Sequence, residues 1–227
     1  MDGLGVFFFV LFSMARFGLN LGFWDRPLVI GLFWSATTGN WEFAVPAALF
    51  FELFFLDLFP IGTFIPPHGP FALLATLAMA HIFEVTQPSW GLVLIMLSMP
   101  AALLGSKLEQ RHRQWQNFGY TRMLQSTRPG REHSVSAPLL ARNALVQMCL
   151  VQGLAFVLVM GVLTPFAEWL LPRLQSRVLM MSVSWPHIWM LGTLGALLSF
   201  RTRKVYAFFL VMVFIAGLVF GMGYGVL

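Results

Sequence analysis

Read for hydrophobic and polar positions alone, the chain is a succession of long apolar runs separated by short polar breaks. The runs cover residues 3–24, 28–38, 43–59, 70–84, 88–106, 139–165, 188–200 and 205–227. A helix that crosses the hydrocarbon core of a bilayer needs about 20 apolar residues, with roughly 17–25 the usual range. Residues 3–24, 88–106, 139–165 and 205–227 meet that length, so each predicts a crossing helix. Residues 28–38 and 188–200 are too short to cross alone, and 70–84 is marginal. Short, interrupted apolar segments predict broken or re-entrant helices. The predicted fold class is an all-α membrane protein: a polytopic helical bundle with broken or re-entrant helical hairpins.

The breaks have local causes. Gly39-Asn40 is a turn signal between the runs 28–38 and 43–59, so residues 27–59 predict a helical hairpin. Pro46 falls early in the second of these runs, and Pro60, Pro66, Pro67 and Pro70 crowd the stretch that follows. Each proline removes a backbone donor and resists regular helix. Irregular backbone cannot face lipid with its amides and carbonyls unpaired. Residues 60–70 are therefore expected either outside the membrane or in a protein-lined cavity.

Polar residues concentrate at 107–138, where Lys107, Arg111, Arg113, Arg122, Arg128 and Arg131 face only Glu109 and Glu132. This divides the chain into three parts. Residues 1–106 form an N-terminal membrane half with the hairpin and the proline-rich stretch, 107–138 a basic cytoplasmic loop, and 139–227 a C-terminal membrane half. The cytoplasmic placement follows from the excess of Lys and Arg, and Arg201, Arg203 and Lys204 are expected on the same side. Residues 166–187 are then expected at the outer face as an amphipathic or re-entrant element. Counting crossings back from the central loop puts Arg26 inside and the N-terminus outside. Small residues recur at four-residue spacing (Gly31, Ser35 and Gly39; Ala72, Thr76 and Ala80; Gly217, Gly221 and Gly225), which predicts close helix packing. Trp24, Trp41, Trp90, Trp169 and Trp185 fall near predicted helix ends, as an interfacial belt would place them.

Composition sharpens the class. Hydrophobic residues are 58% of the chain and charged residues 10%, with mean hydropathy +0.78. Soluble domains carry about 25% charged residues, so this chain lacks the charge to coat a water-facing surface. The net charge of +5 sits mainly in the polar connections, which reads as membrane orientation and not as nucleic-acid binding. A single cysteine, Cys149, excludes a disulfide within the chain. The sequence holds no H-E-x-x-H, C-x-x-C, G-x-x-x-x-G-K-[ST] or G-x-S-x-G motif, and no catalytic residue, metal site or cofactor is expected. His112 and His133 are expected to be solvated, and His187 to be a polar anchor. His81 and Glu84 share a helix face at their spacing and could pair.

Acids inside the apolar part are more informative. Glu52 lies centrally in AALFFELFFLDLF, with Asp57 following. An ionised carboxylate at a helix centre costs about 2.5–3.5 kcal/mol on insertion scales, so it needs a partner or a polar cavity. One reading pairs it with a buried base, Arg16 or Arg26. The other has Glu52 accept hydrogen bonds from a polar solute, with Thr63 and His68 helping. A carboxylate among hydroxyl-binding groups suits a sugar.

In order along the chain stand Arg26-Pro27-Leu28, Gly39-Asn40, Leu49 to Leu56 around Glu52, Ile61-Gly62 and Pro66-Pro67-His68. That order, ungapped, resembles the membrane IIC component of mannose/fructose/sorbose-type sugar phosphotransferase systems. The resemblance implies a sugar-binding and translocating subunit of the bacterial inner membrane. Its implied partners are a membrane IID subunit, soluble IIA and IIB phosphocarriers and a hexose or related sugar, in an oligomeric assembly without nucleic acid. It also implies no phosphorylation site on this chain. Glu52, Asn40, Asp57, Thr63 and His68 are the expected sugar-binding residues. Asn40 stands where the family has a turn acid, His68 where it has an acid after the two prolines, and Asp57 where it has a small residue. The second half is shorter than in the family, and HIWMLGTLGALL (187–198) stands where a glycine-rich hairpin is expected. A different reading is a non-transporting membrane scaffold or assembly partner derived from that family.

Overall fold

A computed structural model describes residues 3–18, 24, 26–56, 65–126, 137–180 and 182–199. Every regular element among them is a helix: α1 (Gly3–Gly18), α2 (Pro27–Thr38), α3 (Trp41–Phe54), α4 (Gly69–Ile82), α5 (Pro88–Ser126), α6 (Ala137–Met180) and α7 (Trp185–Ser199). The expected crossing at 205–227, with its glycine stripe, lies outside the described residues.

The predicted hairpin is α2 and α3. Gly39 ends α2 in the left-handed conformation, φ 74°, and donates its N–H to the Ser35 carbonyl at 2.8 Å. Glycine reaches that backbone region without a Cβ penalty. Asn40 then caps α3. The two helices approach closely because Gly31 has no side chain; a Cβ there would overlap the Ala48 Cβ. A third element, α7, lies beside α3, and the Trp189 indole N–H bonds the Pro46 carbonyl at 3.0 Å.

The short run at 70–84 becomes the centre of the molecule. Every residue of α4 from Gly69 to Ala80 is buried, and α4 touches α1, α2, α3, α5 and α6. A helix apolar on all sides is stable only when other helices surround it. Phe9, Phe71 and Phe156 join α1, α4 and α6, with ring centroids 4.8, 4.9 and 5.5 Å apart. Inside this core, the Thr76 and Ser98 hydroxyls meet at 2.5 Å, and each also lies 2.9 Å from a carbonyl of its own helix, Ala72 and Ile95 respectively.

Two helices, α5 and α6, are long and apolar enough to cross a membrane, over Pro88–Phe118 and Arg142–Ser176. Their outer faces are apolar. On α6, Val146, Leu150, Leu154, Leu158 and Val162 stand at four-residue spacing and are 52% to 70% exposed. An apolar stripe that long is normally covered, by lipid or by other protein.

Both helices overrun the predicted boundaries. Residues 107–126, expected as the start of a basic loop, continue α5. The stretch is rich in Lys, Glu, Arg and Gln, which favour helix as readily as apolar residues do. Glu109 and Arg113, one turn apart, pair at 2.6 Å. Residues 166–180, expected as a separate outer element, likewise continue α6 through Pro165 and Pro172. His112, expected to be solvated, is only 3% exposed. On the continued helix Ser106, Glu109 and His112 recur every third residue, and all three are buried. The His112 Nε2 lies 2.9 Å from the Gln116 amide nitrogen. His133 lies outside the described residues.

Candidate functional site

The start of α2 explains what Glu52 does locally. Arg26 precedes the helix in an extended conformation and offers no side-chain cap, and Pro27 occupies the first helical position. The N–H groups of a first turn have no partner within their own helix. Because α3 runs back beside α2, its last turn ends next to that uncapped N-terminus. Glu52 Oε2 accepts from the Leu28 N–H at 3.3 Å, and Oε1 accepts from the Arg26 guanidinium at 3.2 Å. One carboxylate thus closes the open end of the hairpin, where the positive end of the α2 dipole also favours it.

Of the two bases considered for Glu52, Arg26 is the partner found. The interaction is not sealed off: the Glu52 side chain is 19% exposed and that of Arg26 41%. A carboxylate has about four lone-pair positions, and these two bonds occupy two of them.

The other expected site residues do not all converge on Glu52. Asn40 caps α3, its Oδ1 accepting from the Phe43 N–H at 3.3 Å. It stands at the opposite end of that helix, about 18 Å from Glu52 at 1.5 Å per residue. His68 caps α4, its Nδ1 accepting from the Phe71 N–H at 3.1 Å. That bond requires a lone pair on Nδ1, so the neutral ring carries its proton on Nε2. The His68 backbone N–H reaches the Ala102 carbonyl at 2.9 Å, and its ring sits near Phe9 and Phe71. His68 belongs to the same end of the bundle as Glu52, because Phe55 packs against Gly69. Asp57 and Thr63 lie outside the described residues.

His81 and Glu84 do not form a pair. Helix α4 ends at Ile82, so the shared helical face is lost before Glu84. Glu84 instead adopts φ 52°, its N–H bonded to the His81 carbonyl and that of Val85 to the Ala80 carbonyl. These two bonds form a Schellman closure, a geometry in which glycine is the usual residue at the position Glu84 occupies. His187 is exposed and its Nδ1 lies 2.7 Å from the Ser184 hydroxyl, at the start of α7.

The role of Glu52 as a cap on Leu28 was not foreseen from its sequence neighbours. The signal was at the other helix: Arg-Pro-Leu opens α2 without a capping side chain, so an acceptor had to come from elsewhere. Compared with known proteins, the chain matches no family model and none of the curated proteins.

Proposed function

We propose that this chain is a sugar-binding and translocating membrane subunit of a bacterial phosphoenolpyruvate-dependent sugar phosphotransferase system, of the mannose-type IIC kind. It is a multi-pass protein of the inner membrane and carries no phosphoryl group itself. It works with a IID membrane subunit and soluble IIA and IIB carriers on a hexose or related sugar. The reading is carried by one observation. The carboxylate of the resembling segment, Glu52, is held by Arg26 and the α2 N-terminus, yet keeps part of its surface and accepting capacity open. A fixed carboxylate of this kind can accept hydrogen bonds from adjacent sugar hydroxyls. The exposed apolar stripe of α6 supports the bilayer as the surrounding solvent.

A second reading is favoured by the same pair. Glu52 matched by a base is what a non-transporting membrane scaffold requires, since the pair and the helix cap together account for its presence. Uptake of a radiolabelled hexose in a strain deleted for this chain separates the two. The transport reading expects complementation by the native protein and loss of uptake with Glu52→Gln, while the variant still inserts. Normal uptake in that variant would overturn it.

A further inference from the structure

At the far end of α4 from His68 lies a cleft of about 430 Å³, between the turn that joins α4 to α5 and the last turns of α6. Ligand pockets usually run from about 300 to 1,000 Å³, so a small solute fits. Phe83 and Trp90 supply apolar walls, while Glu84, Thr86, Gln87 and Gln175 line it with polar side chains. None of these four side chains is engaged by another described residue. Glu84 is the lining carboxylate; its backbone is left-handed and its side chain exposed.

We infer that this cleft is a second solute site, one that takes a neutral polyhydroxylated ring. The lining chemistry selects that class. Gln87 and Gln175 each bring two N–H donors and a carbonyl, Thr86 a donor and acceptor, and Glu84 acceptors only. An organic cation could use the carboxylate and the indole face, but has no use for the amide donors. A ring of hydroxyls uses all of them, and the indole of Trp90 offers an apolar face for its C–H side. The inference rests on the proposed solute-handling function. The cleft is spatially separate from Glu52, which stands at the other end of α4, about 21 Å of helix away. With the orientation expected from the basic residues, the cleft faces the outside and receives the solute before Glu52 does.

Equilibrium dialysis of radiolabelled mannose against the full chain in lipid nanodiscs tests this, with radiolabelled choline as the cationic probe. The native protein is expected to bind mannose saturably and choline not at all. Glu84→Gln and Gln175→Ala are each expected to weaken binding about tenfold, the effect of losing a strong hydrogen bond. Glu84→Gly is the decisive variant. It suits the left-handed backbone better than glutamate, so a purely structural role for Glu84 expects unimpaired binding, whereas the site expects the same loss as Glu84→Gln. Mannose binding that survives all three changes but disappears in Glu52→Gln would overturn the cleft and leave the transport reading standing. Choline binding in place of mannose would overturn the assigned ligand class. Absence of any binding by the native protein would overturn the cleft, and the uptake assay would still judge the transport reading independently.

Discussion

The two ends of α4 use polar residues in opposite ways. At the His68 end, Glu52, Arg26 and His68 are bound into the architecture: each satisfies a helix terminus or a charge. At the Glu84 end, the side chains of Glu84, Thr86, Gln87 and Gln175 engage no other described residue. Polar groups that cap helices have a structural role whatever else they do. The exposed polar side chains of the cleft carry no such structural role, and they are free to meet solvent or a ligand. The difference teaches that the residues easiest to single out by sequence are those whose structural work is heaviest.

The contrast can be attacked through stability, with the strongest effect in the core that both ends share. Phe71 is 1% exposed and packs on Phe9 and Phe156. Phe71→Ala is expected to destabilise by about 3–5 kcal/mol, read as a fall in thermal midpoint in detergent. If only one end loosened, as seen by protease sensitivity, the two ends would be separate units joined loosely. A cap comes next. Asn40→Ala should cost about 1 kcal/mol by leaving the Phe43 N–H unsatisfied, measured by the same melt. No change would mean that water replaces the cap.

The Arg26–Glu52 pair should show a smaller coupling. Because Arg26 is 41% exposed, solvent screens the interaction, and a double-mutant cycle with Arg26→Gln and Glu52→Gln should yield about 1 kcal/mol or less. A coupling several times larger would favour the scaffold reading, in which the pair exists to be buried. The smallest effects belong to the cleft. Gln87→Ala and Gln175→Ala should leave the melt within about 0.5 kcal/mol of native. Glu84→Gly should raise stability by up to about 1 kcal/mol, by relieving a left-handed glutamate. A loss of stability in these variants would show that the cleft residues are structural after all.

How much of this was readable in the chain depends on distance. The α2–α3 hairpin was legible because Gly39-Asn40 sits between two apolar runs, and turn chemistry is local. The extent of α5 was not, because the Lys- and Arg-rich residues after Gly105 mark a polar surroundings without distinguishing helix from loop. Burial of His112 followed from that: it is set by which face of α5 packs, and the face is defined only once the helix is known to continue. Glu52 was legible as an anomaly, an acid in an apolar run, but its Leu28 partner lies across the hairpin. The cleft was illegible altogether, since Gln175 meets the residues 83–90 only through the packing of α6 on α5.

Helix α5 runs from Trp90, in the wall of the cleft, to the basic surface around Arg111 and Arg113, about 35 Å along its axis. Its hydrogen-bond ladder lacks a donor at Pro100, which makes that position a natural pivot. The basic surface and the cleft wall are therefore parts of one continuous helix, so neither shifts along its axis without the other.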